Sequence, residues 1–540
     1  LKRRWSILTT SLLLSLSLLV AACSSTPASQ APQGESKPTE NKPAEPAKTA
    51  STTPADTLFV GITADQGTLD PAVTFDNSAW KITYPTYQRL VEYDGGTTEV
   101  KPGLAKEWKV SEDGLTWTFT LAEGNKFADD TPVTAEAVKF TFDRTLKIKK
   151  GPADVYSVIK EVKVDSPTSV TFVLSKNFPP FLSTLAANYG GIVNPKVLEK
   201  EQNGDLGQNF LANNTMGSGP YQLTEWRKGE YIKLAASPNS SVKPALQNIF
   251  FKIIPDATAQ RLQLEQGEID IAEGIPNEQI KALKENPSVD VLQQPSLFVD
   301  YIYVNSSKGN PALQNPKVRQ ALSYAIDYDA LTESVQEGYA TQMRGPIPKG
   351  LWGYDESAPQ YKRDVEKAKA LLAEAGAANL TIDLLYSDNK AWWETEALAL
   401  QAFFSDIGVK LNLKKIAYAT SREMIDKGEF DLAMGVWSPD FGDPYMFMNY
   451  WFDSVNFGLA GNRAFYKNDK VDELVRKAAS INDKAEREKL YKEAQLIVID
   501  EAPYLYLYQK DFLLPVSKSV KGFVYNPMLE GIYNLAEMSK

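Results

Sequence analysis

One cysteine and no histidine in 540 residues decide most of the chemistry open to this chain. Histidine is the usual general base and the commonest transition-metal ligand. Without it no Ser-His-Asp, Cys-His or HExxH site can be assembled, and zinc bound through Cys and His is excluded. Two short patterns keep hydrolysis in view: Ser240-Ser241-Val242-Lys243 matches SxxK, and Ser387-Asp388-Asn389 matches SDN. No KTG completes the set, and SxxK recurs at Ser157 to Lys160, which shows how readily it arises by chance. What remains is binding. Trp437-Ser438-Pro439-Asp440-Phe441-Gly442-Asp443-Pro444 directly follows a run with strand composition, so it falls at a strand's carboxyl end, where open α/β sheets hold ligands. An aspartate there can meet a cation through a charge-assisted contact, or it can serve as a turn former or cap, the ordinary use of Asp among Pro and Gly. Asp443, before Pro444, reads as a helix N-cap.

The cysteine has a different address. Lys2, Arg3 and Arg4 precede an apolar run from Ile7 to Val20 and the small pair Ala21-Ala22, then Cys23. That order is a secretory signal peptide, too short and hydroxyl-rich for a permanent span of about 20 apolar residues, so residues 1–22 are expected to be removed. Val20-Ala21-Ala22-Cys23 resembles the bacterial lipobox, in which the thiol is acylated and becomes the new N-terminus. An ordinary signal peptide with an accidental Cys is the alternative; the lack of any other Cys favours lipid. Ser24 to Ala55 has six prolines and no Val, Ile, Leu, Met or aromatic residue, too little apolar surface to offset its ordering entropy. Residues 23–55 read as a lipidated Cys and a disordered tether spanning about 30 Å as a flexible coil.

Loss of Lys2, Arg3 and Arg4 takes the formal charge from −10 to −13. An acidic chain is poorly suited to nucleic acid or an anionic bilayer, so membrane contact is expected through the lipid alone. With no other Cys, stability must come from a core. Roughly 485 residues follow the tether, more than one core normally serves, so two or more lobes are expected.

The elements that must position the Trp437–Pro444 loop follow from periodicity. Thr116 to Leu121 alternates strictly, placing Trp117, Phe119 and Leu121 on one strand face. Strands are also expected at 57–63, 169–174, 221–226 and 231–236 (a hairpin), 248–254, 289–292, 300–305 and 504–508. Helices are expected at 78–91, from Thr134 as cap to about 146, at 256–266 with Gly267 as stop, and through the charged segment 469–501. In the second half, Asp364 caps a helix ended by Gly376. Strands at 380–386, 409–416 and 430–437 then alternate with helices at 392–406 and 420–427. That β-α-β-α-β order implies a mainly parallel sheet covered by helices.

At Leu104 to Arg144, LAKEWKVSEDGLTWTFTLAEGNKFADDTPVTAEAVKFTFDR, the chain resembles the family 5 extracellular solute-binding proteins that feed peptide and nickel ABC importers. Leu69-Asp70-Pro71, Gly217 to Tyr221, Gly267 to Asp270, Val318 to Leu322 and Trp437 to Pro444 match in family order, and the resemblance covers residues 56 onward. It implies an α/β, two-lobed periplasmic-binding-protein-like fold of type II, with an extra subdomain on the first lobe. Lobe I would span 56–305, its subdomain about 96–210, lobe II 306–505, and 506–540 would return to lobe I, with a hinge near 301–305 and 504–510. No enzymatic activity and no cofactor are implied.

The resemblance also implies a site. In similar peptide binders the Asp three residues after the Trp pairs with the peptide's α-ammonium, which is Asp440 here. Trp437 would wall the pocket, with Phe441, Trp392 and Lys390 as further ligand contacts; aromatics at such spacings are also ordinary core, and Lys390 also reads as an exposed Lys. Two family clamps for the peptide carboxylate are absent: Ser387 stands where dipeptide binders carry Arg, and Met434 where some oligopeptide binders do. Longer peptides with loosely held C-termini are therefore favoured over a strict dipeptide. The implied partners are an oligopeptide and an ABC permease, with the chain a monomer anchored by lipid on the extracytoplasmic face of the cell membrane. A nickel chelate, an oligosaccharide, or a peptide-sensing or chaperone-like role without transport are the alternatives.

Overall fold

The computed structural model describes residues 53–390 and 392–540; the signal peptide, Cys23 and the tether up to residue 52 lie outside the described residues. The fold is a two-lobed α/β architecture built on an 11-stranded mixed sheet. From one edge the strands run Lys410–Ile416, Thr381–Ser387, Leu432–Trp437, Val289–Val304, Tyr504–Ser517, Ile271–Ala272, Thr57–Ile62, Asn248–Ile253, Tyr231–Ala236 and Tyr221–Arg227, with Ala340–Gln342 paired on the side of Tyr504–Ser517. The β-α-β-α-β reading holds: Thr381–Ser387 pairs in parallel with both Lys410–Ile416 and Leu432–Trp437. Helices Trp392–Ser405 and Tyr418–Lys427 make the crossovers. The loop carrying Asp440 therefore leaves the carboxyl end of a central strand.

A separate antiparallel sheet orders Ala105–Val110, Thr116–Leu121, Ser169–Leu174 and Ile159–Ser166. Trp117, Phe119 and Leu121 all point into its core, as strict alternation requires. Thr134 stands at the N-cap of helix Ala135–Ile148 in extended conformation, but its side chain makes no cap bond.

Three expected elements differ. The helix expected at 78–91 stops at Thr86, one residue after Pro85, and Val91–Tyr93 forms a two-stranded sheet with Val100–Pro102. The charged segment 469–501 is two helices, Asp469–Ala478 and Lys484–Glu501, the second capped by the Asp483 carboxylate accepting from the Glu486 N–H. The two strands expected at 289–292 and 300–305 are one, Val289–Val304, lying antiparallel to Tyr504–Ser517 across a register shift between Pro295 and Val299. Residues 293–299, left between the two expected strands, contain Pro295 and a local interruption of the pairing. Side chains carry the pairing across it: the Ser296 hydroxyl donates to the Lys510 carbonyl at 2.8 Å, and the Gln509 amide donates to the Ser296 carbonyl and, at 2.8 Å, to that of Lys349. Backbone groups at the interruption thus keep partners, which a buried break demands.

The recurring motifs are scaffold. Asp70 and Arg144, both essentially inaccessible, form a bidentate pair at 2.7 and 2.6 Å. Gly217 and Gly219 let two backbone segments touch, since a Cβ on either would fall 2.1 Å from the Thr86 carbonyl or 2.3 Å from that of Pro85. Asp270 accepts from the Phe59 N–H and pairs with Lys540 at 2.9 Å. Arg319 ties the carbonyls of Leu313, Gln314 and Glu501.

Candidate functional site

The loop after Leu432–Trp437 is anchored at one end and open in character at the other. Asp443 accepts both guanidinium nitrogens of Arg487, at 2.9 and 2.8 Å, with both side chains buried, and also accepts from the Tyr445 N–H at 2.9 Å in front of helix Tyr445–Phe452. Sequence places the N-cap at Asp443, but Pro444 holds that position without a side-chain cap bond, and Asp443, one residue earlier, is committed to an ion pair that periodicity did not announce. The Gly442 N–H donates to the Ser183 hydroxyl at 2.9 Å and to that of Tyr93 at 3.2 Å, which pins the loop to the first half of the chain. A Cβ at Gly442 would crowd Thr98 at 3.1 Å.

Asp440 is different. Its carboxylate has no hydrogen-bond or ion-pair partner among the described residues, although its residue is half-buried. Burial alone pushes the carboxyl up to about 7. Its field reaches the phenols of Tyr93, Tyr189 and Tyr450, and burial raises all three with help from Asp440. The Tyr189 hydroxyl lies 3.5 Å from the Asp440 carbonyl. A carboxylate enclosed by phenols with no cation at hand is costly unless a partner arrives.

Trp437 lies beside Asp440's loop with its ring 6.2 Å from Tyr450 and 6.3 Å from Trp451, and its indole N–H is buried without a partner. Phe441, 1% exposed, is packed between the rings of Phe178 and Tyr445, both at 6.3 Å, so ligand reaches it only if that seam opens. Trp392 sits elsewhere. It and Trp393 both donate their indole N–H to one oxygen of buried Asp300, at 3.3 and 3.2 Å, while the Lys510 ammonium lies 3.2 Å above the Trp392 ring and 3.9 Å from the other Asp300 oxygen. Burial holds the Asp300 carboxyl above its usual range against the pull of Lys510. Lys390 lies half-buried, 5.4 Å from the Trp392 ring centre. The site residues read from sequence thus fall into two groups, Asp440 with Trp437 and Phe441, and Trp392 with Lys390.

Sequence reasoning passed over a third group. A cavity of about 70 Å³ at the carboxyl ends of the parallel strands is lined by Tyr386, Ser387, Met434, Gly435, Arg422 and Arg463, among others. Ser387 and Met434, the positions where the resemblance led a carboxylate-binding Arg to be looked for, both line it. Arg463 gives Nη1 to the Tyr303 hydroxyl at 2.6 Å and Nε to the Leu459 carbonyl at 2.9 Å, and its guanidinium lies 5.1 Å from the Trp437 ring centre. One signal was available: from Ser454 to Tyr466, Arg463 is the only charged residue. The SxxK match has no catalytic geometry, since Lys243 gives its ammonium to the Pro238 carbonyl at 2.7 Å.

Comparison with known proteins agrees with this architecture. Residues 99–458 match the model of the bacterial extracellular solute-binding proteins, family 5. The chain is 48% identical over 494 residues to the probable D,D-dipeptide-binding periplasmic protein DdpA of Escherichia coli (strain K12), covering 90% of this chain and 95% of that one. It is 32% identical to the dipeptide-binding protein of the same strain, covering 84% and 88%. Among solved structures, the ABC transporter-associated periplasmic binding protein DppA from Helicobacter pylori, in complex with peptide STSA, superposes with a TM-score of 0.75 at 26% identity, over 89% of this chain and 98% of that one. The chain belongs to the family 5 extracellular solute-binding proteins.

Proposed function

We propose that this family 5 solute-binding protein captures short peptides outside the cell membrane and delivers them to an ABC permease. The observation that carries the reading is Asp440: a carboxylate drawn out of water near tyrosines, with no cation paired to it among the described residues, at the end of a central parallel strand. A peptide's α-ammonium is the cation such a group would orient, and it does so without reading side chains. The relatives named for dipeptides, one of them for D,D-dipeptides, support this ligand class, as does the peptide-bound structure.

Closure over the ligand would pivot where the pairing of the two long strands shifts register, at Pro295 to Val299 and Gln509 to Asp511. The first of these precedes the hinge segment expected at 301–305, and the second overlaps the one expected at 504–510. The lipid on Cys23 and a tether of about 30 Å would hold the receptor near its permease while leaving it free to sample ligand. Membrane contact would be through that lipid alone, with the receptor a monomer on the extracytoplasmic face. Mass spectrometry of ligand released by denaturing the purified protein tests the reading: peptides are expected, and a sugar or metal chelate in their place contradicts it.

A further inference from the structure

We infer that the cavity behind Tyr93, in the first half of the chain, is a second small-molecule site that takes a free α-amino acid with an apolar side chain, its carboxylate on Arg89 and its ammonium on Glu92. The inference goes beyond the peptide reading and does not rest on it.

Arg89 is 2% exposed. Its Nη2 donates to the Tyr84 carbonyl at 3.2 Å, and the guanidinium lies 3.5 Å from the Tyr84 ring centre. A ring beneath a guanidinium attracts its face and leaves the in-plane donors wanting acceptors. Nε and Nη1 are buried and find none among the described residues. By contrast, Arg144 and Arg487 each meet a buried aspartate, and Arg319 gives its donors to three carbonyls. Buried donors left as in Arg89 are costly until an acceptor arrives.

Arg89 lines a cavity of about 240 Å³, a little under the roughly 300–1,000 Å³ of sites for drug-sized ligands and so suited to a small molecule. Its walls hold four charged residues, Arg89 and Lys101 against Glu92 and Glu537, among apolar ones that include Pro85, Val242, Ile532 and Leu535. This balance of signs favours a zwitterion over a plain anion. Lys101 leans to Asp94 at 3.7 Å, and Glu537 accepts from the Asn534 amide at 2.9 Å. Half-buried Glu92 has neither a hydrogen bond nor an ion pair for its carboxylate among the described residues. An acid and a base thus share one cavity without reaching each other. An α-amino acid carries the complementary pair on one carbon, each able to form a charge-assisted contact, and its side chain meets the apolar wall.

The walls are set without a ligand. Asn526 donates to the carbonyls of Gly95 and Thr97 at 2.5 and 2.9 Å, and Asn534 to that of Gly522 at 2.8 Å, which fixes the C-terminal segment against the turn after Val91–Tyr93. Neither Trp437, Asp440 nor Phe441 lines the cavity. Tyr93 links the two regions, since it lines the cavity and its hydroxyl accepts from the Gly442 N–H at 3.2 Å.

The test titrates L-leucine calorimetrically into the full chain, beside 4-methylpentanoate, which lacks the ammonium, and 3-methylbutylamine, which lacks the carboxylate. Leucine should bind wild type, and each analogue should bind at least about tenfold more weakly, the loss expected for one hydrogen-bonded charge. Arg89→Gln and Glu92→Gln should each weaken leucine by about tenfold or more, and Arg89→Lys should keep part of the affinity. Asp440→Asn should leave it within about threefold, as a separate site requires. Glu92→Gln, at a half-buried position, carries the test should Arg89→Gln not fold. No binding of leucine by wild type, or equal binding of 4-methylpentanoate, would overturn the site. Leucine binding lost in Asp440→Asn and kept in Arg89→Gln would also overturn it, by placing leucine in the peptide cleft. The peptide reading stands or falls separately, on the ligand released from the purified protein.

Discussion

Asp443 and Asp440 stand three residues apart in one loop, both drawn out of bulk water. Asp443 spends its oxygens on Arg487 and on the N–H of Tyr445, whereas Asp440 faces phenols and meets no cation. Among the bases, Arg487 and Arg144 are paired internally, Arg463 meets no carboxylate among the described residues, and Arg89, buried elsewhere against Tyr84, leaves Nε and Nη1 unpartnered among them. Charges completed within the chain build the scaffold. In the proposed reading Asp440, left incomplete at the carboxyl end of a parallel strand, is where a peptide's ammonium would complete the charge.

The largest effect expected on either side of this contrast is at Asp443. Asp443→Ala leaves Arg487 buried and uncompensated and should cost about 3–5 kcal/mol of stability in urea unfolding. Replacing both partners by apolar residues of similar volume should recover most of it. A loss under about 1 kcal/mol for the single change would break the distinction.

Asp440→Asn should do the reverse. Its folded carboxyl sits near 7 while an unfolded Asp sits near 4, so the folded chain retains a proton that the unfolded chain gives up. Ionising that group therefore costs stability progressively as pH rises from about 4 to about 7. Asn removes the cost, and the variant should be about 1–3 kcal/mol more stable at pH 8, discounted for partial solvent access. Peptide affinity should fall by about 2–5 kcal/mol in calorimetry, because an ammonium then lacks its counter-charge. A variant that is both less stable and unaltered in binding would place Asp440 with Asp443 among the scaffold charges.

A smaller effect follows from pH. Pairing with an ammonium needs the ionised carboxylate, so affinity should be lost as pH falls through about 7, roughly fivefold from pH 7 to pH 6. Binding below pH 7 should release a proton, seen as a dependence of the calorimetric heat on buffer ionisation. A flat profile from pH 6 to 7 would contradict the raised value. The smallest effect is expected at Lys390, half-buried beside Trp392 and apart from Asp440. Lys390→Gln should change peptide affinity by less than about threefold, consistent with a flexible point charge beside the cleft.

How far this contrast was legible in the sequence depends on how local its cause is. Composition placed the Trp and the Pro/Gly loop at a strand's carboxyl end and left Asp440 as ligand contact or turn former, the resemblance alone singled it out, and the parallel order of the last strands came from plain periodicity. Tyr93 and Tyr189 were not legible, since they reach Asp440 from the first half of the chain, more than 200 residues away, through a docking of the loop that no local pattern encodes. Arg463 carried only the faint signal of a lone charge in an otherwise uncharged stretch. The gap left between 292 and 300 has a physical counterpart: the pairing is interrupted after Pro295, but Ser296 and Gln509 side chains bridge the interruption and one long strand results. Trp392 was expected as a further ligand contact or ordinary core, and its indole N–H to Asp300 was not legible, because Asp300 lies 92 residues away in sequence.

The claim that Asp440 is the unfinished charge of the cleft is tested most directly by titrating its side-chain carboxyl by carbon-detected NMR, free and with saturating peptide. The account predicts a free value near 7 that falls below about 5 when the ammonium arrives, as an adjacent opposite charge requires. A value near 4 in the free protein, or one that peptide leaves unmoved, would contradict it.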